Sequence, residues 1–297
     1  MKKIDLDLNQ KKYLETLLAK HRHFIDFQAL KSQRLKVNND YQIKLDNIND
    51  DLKNKRITKK KATAQKNKIR NEKKLKQQKI SKELIKNYTE FANSDDVYAF
   101  TNAIPVRCCP YCNLHSIPTV KGADRPDIDH FEAKALVPEK QLELENMVPC
   151  CLKCNRDIKN EKCFSLDTHI NPYIEDFDSL VEFYINPHSS DYTKEENFDI
   201  CIKRNSSCKD RLLYEKAMNN VRDFKLIERY QAYKKDVTSI FENEKFYFEK
   251  KQKELVNLAQ EKKSLRETLF PDEKCNINKT ERGKLKIDII KRYIKDD

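Results

Sequence analysis

The chain has 297 residues, a formal net charge of +12, 38% hydrophobic and 36% charged residues, two glycines and no tryptophan. Such a composition argues against a turn-rich β fold and favours helices. No stretch is long and apolar enough to span a bilayer, or to follow Met1-Lys2-Lys3-Ile4-Asp5 as a secretion signal. A cytoplasmic protein with no membrane contact is expected, in which ten cysteines mean thiols and metal ligands rather than disulfides.

The first 104 residues hold neither proline nor glycine, and all nine prolines begin at Pro105. This composition shift predicts a helical region over 1–100. Leu14, Leu17, Leu18, Phe24, Ile25 and Phe27 form an apolar stripe along a predicted helix from Leu6 to Leu35. Tyr41, Leu45, Ile48 and Leu52 continue at heptad-like spacing, and Ile69, Leu75, Ile80 and Leu84 mark a returning helix. Arg56 to Lys61 is the predicted turn, with Thr58 as N-cap, so a helical hairpin or small coiled coil is expected. Residues 53–86 carry thirteen lysines and two arginines against Glu72 and Glu83, which leaves the rest of the chain near neutral. A grip on a phosphate backbone is one reading, with Lys59, Lys60 and Lys61 as contacts; a solvated helix face or an acidic protein surface are the others. No aromatic residue interleaves the run, so base stacking is not expected there.

Cys109-Pro110-Tyr111-Cys112 and Cys151-Leu152-Lys153-Cys154 are two Cys-x-x-Cys turns separated by thirty-eight residues. Each chelates one metal from a tight turn, and together they complete a tetrahedral four-thiolate site that suits zinc. Closing that loop on zinc is worth on the order of 10 kcal/mol. Four buried reduced cysteines, or a redox pair, are the alternatives. Between the turns lie Asp127-Ile128-Asp129-His130-Phe131 and Asn146-Met147-Val148-Pro149, and Asn155 follows the last cysteine. An acid–histidine pair sets a base that titrates near neutral pH beside hard oxygen donors that suit Mg2+. Hydrolysis of a phosphodiester needs both.

These residues resemble the HNH endonucleases framed by a four-cysteine zinc site, whose fold is the ββα-metal finger. The resemblance covers about Arg107 to Lys162. It implies that His130 is the general base and that Asp129 and Asn155 bind a catalytic Mg2+ or Mn2+. It implies that Asn146 pins the finger through backbone hydrogen bonds, and that Cys109, Cys112, Cys151 and Cys154 hold structural Zn2+. The chain departs from the pattern at three places. Asn155 stands where histidine is frequent, and Ala133 where proline is. The lysine expected three residues after Asn155 is Ile158, with Lys159 one place later. Lys159, Lys134 and Arg107 are candidate phosphate contacts.

Beyond Ile170-Asn171-Pro172-Tyr173, the alternations Val181/Phe183/Ile185 and Phe198/Ile200/Ile202 predict a β-hairpin over 173–205, with Cys201 on its other face. Residues 206–297 return to helix. Leu213, Ala217, Val221, Phe224 and Leu226 fit one element, and Tyr230, Tyr233, Val237, Ile240 and Phe241 the next. A third runs from Phe246-Tyr247-Phe248 through Leu255, Leu258 and Leu265 to Pro271, and a last from Leu285 to Ile294. His21, His23, His115, His169 and His188 read as surface or core histidines, and Cys108, Cys150, Cys163, Cys201, Cys208 and Cys275 as free thiols.

The expected fold is therefore mostly α with a small α+β centre: a ββα-metal finger over 101–172, stapled by four cysteines and flanked by helical regions. The expected function is a metal-dependent endonuclease acting on DNA, with RNA as the second candidate. A catalytically inactive, zinc-stapled adaptor for nucleic acid or a protein partner is the alternative, and a coiled-coil zinc hook is disfavoured by the doubled Cys-x-x-Cys. A finger flanked by long helices resembles the nuclease subunits of Septu-type bacterial anti-phage systems. In those systems such a subunit works beside an ATPase, so the resemblance implies an ATPase partner; with no Gly-rich phosphate loop in this chain, any ATP requirement would come from that partner.

Overall fold

The computed structural model describes residues 1–160, 162, 164–254, 269–271 and 275–294, without side chains over 247–254. The predicted helical run through Leu255, Leu258 and Leu265, and Cys163, lie outside the described residues. The chain is mostly helical, with two small antiparallel two-stranded sheets. No described helix is long and apolar enough to cross a membrane. The residues fall into two compact units.

One unit comprises Glu15–Val97 and Glu132–Leu144. Its main feature is a helical hairpin, α2 (Phe27–Lys53) and α3 (Lys59–Leu84). The turn falls where the sequence expects it, and the Thr58 side chain accepts from the Lys61 amide at 3.3 Å. The expected single helix from Leu6 to Leu35 is instead two. A first helix, α1 (Leu8–Ala19), stops, and α2 restarts behind Asp26, whose side chain accepts from Ala29 N at 2.9 Å. The stripe of Leu14, Leu17 and Leu18 would continue at positions 21 and 22, which are His21 and Arg22. With no apolar face to bury there, the local cap wins. Phe24, counted in the stripe, is 93% exposed. Short helices α4 (Lys86–Ala92) and α5 (Asp96–Ala103) follow.

The other unit comprises Met1–Leu14, Tyr98–Phe131 and Glu145–Asp297. Strands β1 (Asp127–His130) and β2 (Met147–Cys150) pair antiparallel, with Asp129 opposite Val148 and His130 opposite Met147. A π-helical turn, Lys153–Lys159, packs against β1. After a single turn, α6 (Phe177–Leu180), comes the second sheet, β3 (Val181–Pro187) with β4 (Phe198–Arg204). The alternating residues pair as predicted, Phe183 opposite Ile202 and Ile185 opposite Ile200, and Cys201 faces away beside Tyr184. Next are α7 (Arg211–Asp223), α8 (Leu226–Tyr230), α9 (Lys234–Glu254) and α10 (Gly283–Tyr293). The element expected through Leu226 breaks because Lys225 adopts a left-handed conformation, φ 51°, which ends α7 and re-aims α8. Both edges of the second sheet are blocked by side chains. Asp288 accepts from Phe183 N at 2.8 Å and Tyr293 bonds the Ile185 main chain, while on β4 Gln231 pairs both Ile200 N (3.1 Å) and Ile200 O (2.6 Å). Gln231 thus acts as a one-residue strand that denies the edge to another chain. Replacing Gln231 by alanine leaves a buried amide and carbonyl without partners, and is expected to cost about 1–3 kcal/mol in thermal unfolding.

Candidate metal centre and acid–histidine site

Each Cys-x-x-Cys is a tight turn. Leu114 N donates to Cys112 Sγ at 3.5 Å and Cys154 N to Cys151 Sγ at 3.4 Å. Asn113 takes a left-handed φ of 54°, as a turn of this kind requires. The four ligand sulfurs of Cys109, Cys112, Cys151 and Cys154 are buried and lie within 4.8 Å of one another. The Cys112–Cys151 sulfur separation is 3.9 Å, against about 3.8 Å for tetrahedral zinc with Zn–S near 2.3 Å. The cluster can therefore hold a metal such as zinc, and none of the nine described cysteines forms a disulfide. Burial pushes the Cys109 thiol well up. Burial also acts upward on Cys112, but hydrogen bonds from the other three sulfurs hold it well below its ordinary value. A cation bound by the four sulfurs would replace their protons, so binding would release protons and weaken as pH falls.

The C-terminal helices hold this frame. The Arg229 guanidinium donates to Cys154 Sγ at 3.4 Å. Burial acts to lower Arg229, yet the neighbouring Cys112 and Cys154 keep it above its ordinary value. Tyr230 donates to Cys112 O at 2.8 Å, and the Asn113 side chain bonds Ile277 O and Thr280 O at 2.8 and 3.0 Å. None of these was readable as a partner of the cysteines, because the contacts span more than seventy residues and follow no local pattern.

β1 sends Asp127 and Asp129 to one face, two residues apart. Asp129 is 4% exposed, and both its oxygens are engaged: Oδ2 accepts from the Tyr111 hydroxyl at 2.7 Å and Oδ1 from Lys159 Nζ at 3.0 Å. Lys159 is 1% exposed and also donates to His130 O at 2.7 Å. Expected from sequence as a phosphate contact, Lys159 is instead an interior cation. The π-helical turn explains its register. Asn160 N bonds Asn155 O at 2.8 Å, five residues back, and the wider turn brings Lys159 round to β1. Asn155 lies on the same turn, but its carboxamide donates to Asp127 Oδ2 at 3.2 Å, where Arg156 also pairs bidentately at 2.8 Å. The structure thus groups Asp129, His130 and Lys159, and separately Asn155 with Asp127.

His130 ends β1 and is buried. Asn146 is also buried, and its carbonyl accepts from Phe131 N at 2.9 Å, which closes the root of the β1–β2 connection. Asn171 and Tyr173, read from sequence only as the end of the compact region, support the same root. Asn171 donates to Glu145 O at 3.0 Å and Tyr173 to Met147 O at 3.1 Å. Arg107 turns its guanidinium back onto Ile104 O and Val106 O. In the other unit, Lys134 lies 4.5 Å over the Tyr88 ring, and Lys59, Lys60 and Lys61 are exposed at the start of α3. Tyr111 and Asp127 were both legible as polar groups inside the motif, but sequence alone gave neither a partner.

No known protein family, curated protein or solved structure matches the chain. Arg229→Gln removes the guanidinium beside Cys154, and is expected to weaken zinc retention roughly tenfold in chelator competition while leaving one zinc per chain in the absence of chelator.

Proposed function

We propose that the chain is a metal-dependent endonuclease of the HNH type, hydrolysing phosphodiester bonds of nucleic acid, with DNA the first candidate substrate. One observation supports this reading above the others. Two strands lie between two cysteine turns that meet, and a helical turn grows out of the second, with Asp129-His130 at the end of the first strand and Asn155 and Lys159 on the helical turn packed against it. His130 would take the proton from the attacking water, a task suited to an imidazole near neutral pH. Lys159 and the Asn146 carbonyl hold the peptide that follows it, at His130 O and Phe131 N. Zinc at the four cysteines would act as a staple, with its coordination filled by protein and no position open for substrate.

This reaction class also calls for a divalent cation at the developing charge, Mg2+ or Mn2+. As arranged, the donors named by the resemblance do not converge on one ion, since Asp129 is held by Tyr111 and Lys159 and Asn155 by Asp127. That same satisfied carboxylate favours the second reading, an inactive zinc-stapled adaptor. The basic α3 would supply sequence-independent attachment to phosphates in either case. The wider setting we propose is bacterial anti-phage defence beside an ATPase partner.

Two measurements test this. The purified chain should cut plasmid or linear DNA, or RNA, in Mg2+ or Mn2+ and not in chelator. His130→Ala should lose roughly 100-fold or more in cleavage rate while keeping zinc and nucleic-acid binding; undiminished cleavage would eliminate the nuclease. Separately, converting Lys59, Lys60 and Lys61 to glutamate should weaken DNA binding and flatten its salt dependence by roughly two to three in log–log slope. An unchanged slope would assign those lysines to solvent.

A further inference from the structure

The metal frame and the acid–histidine pair meet at one residue that neither motif assigns. Tyr111 occupies the third position of the first cysteine turn, between Cys109 and Cys112, and is 2% exposed. Its ring stacks on Phe224 at 4.7 Å and 20°. Its hydroxyl donates to Asp129 Oδ2 at 2.7 Å. The opposite oxygen of Asp129 receives Lys159 Nζ at 3.0 Å, and the same ammonium reaches His130 O at 2.7 Å. Lys159 in turn lies 5.1 Å over the Phe164 ring. The chain of contacts therefore runs from a metal-ligating turn, through one phenol and one carboxylate, to a buried ammonium and the backbone of His130. Every link is a charge-assisted hydrogen bond away from water, where such bonds are short and directional.

We propose that Tyr111 is a positioning residue. It transmits the rigidity of the metal-bound cysteine turn to Asp129, which with Lys159 fixes the main chain at His130, so that Asp129 serves as an orienting carboxylate rather than as a cation ligand. The inference rests on the nuclease reading for its catalytic meaning, but its structural link stands independently of it.

Tyr111→Phe removes the hydroxyl and keeps the ring on Phe224. With Mg2+ as the cation, the variant should keep one zinc per chain and wild-type KM, and lose about tenfold in kcat, the scale of a modest misplacement of a catalytic group. The Mg2+ concentration giving half-maximal rate should be unchanged in both Tyr111→Phe and Asp129→Asn. In the Asp129→Asn background, adding Tyr111→Phe should change the rate no further. The activity-independent arm follows the Lys159 ammonium by NMR. Its signal should be protected from exchange in the zinc-loaded chain, and lost both in Tyr111→Phe and on zinc removal. Wild-type kcat in zinc-loaded Tyr111→Phe, a Mg2+ requirement raised tenfold by Asp129→Asn, or an ammonium signal indifferent to the phenol would each overturn the proposal. A chain that cuts nothing yet shows the coupled ammonium signal would remove the nuclease and leave the link intact.

Discussion

Convergence of four sulfurs is the constraint on which the acid–histidine region depends. The strand pair between the cysteine turns is only four residues on each side, far short of what a two-stranded ribbon needs to persist alone in water. Its ends are therefore held from outside, by turns whose sulfurs meet within 4.8 Å. Four buried thiolates brought together with no cation would be unfavourable, since burial raises the cost of each charged form. A dication bound there would resolve that conflict and add folding free energy of its own. The C-terminal helices then close on the frame through Arg229, Tyr230 and the contacts of Asn113. Residues more than a hundred positions apart thus converge on one four-cysteine cluster.

The interior of the same unit holds two lysines, each 1% exposed, and the contrast between them is instructive. Lys284 in α10 pairs with Asp178 at 2.7 Å and Asp288 at 2.9 Å, and its ammonium joins two helices without touching the cysteine turns or the acid–histidine pair. Lys159 pairs with Asp129, and also touches the backbone of the histidine beside it. Burying such a pair costs several kcal/mol of desolvation per ion, which attraction repays only with good geometry. Burial of an ion pair is therefore no mark of chemistry by itself, because the fold uses one purely to dock a helix. What distinguishes the Lys159 pair is that its carboxylate also receives the phenol of a cysteine turn. The geometry there serves direction more than net stability.

Much of this was legible in the sequence, and the misses have physical causes. The two cysteine turns, the α2–α3 hairpin with its Thr58 cap, and the β3–β4 pairing all rest on local chemistry, periodic or at fixed spacing, which a single sequence displays. The break between α1 and α2 is hidden by apolar residues on both sides of His21 and Arg22, where the stripe fails. The split at Lys225 depends on one left-handed residue that is not glycine, for which no local signal exists. In the site, residue types were readable but partners were not. Asp129 looks equally like a cation ligand or an internal anchor until Lys159 and Tyr111 are seen to occupy its oxygens. The displaced lysine looked like a defect in the pattern, and the π-helical turn accounts for it.

The hairpin unit presents the opposite economy. Between them α2 and α3 bury only Tyr41, Ile48, Ala62, Ile80 and Leu84, so packing does not require the lysines. Nor do the lysines stabilise the hairpin by pairing. Among the described residues no carboxylate bridges to a lysine of α3, although α2 carries Asp46, Asp50 and Asp51; the ion pair at this end is Arg56 with Asp51. Lysines one turn apart, as Lys73, Lys76, Lys79 and Lys82 are on α3, repel one another at a few tenths of a kcal/mol for a pair. Glu72 and Glu83 are the only acids of α3 and leave most of its lysines unmatched, so its charge is poorly explained by its own stability. Recruitment of an anion would relieve the repulsion and release counterions together, and a polyphosphate backbone is the anion that offers many charges at matched spacing. Under the proposed endonuclease reading, the charge of α3 and the acid–histidine pair of the other unit would answer to the same substrate chemistry, one by attachment and the other by hydrolysis.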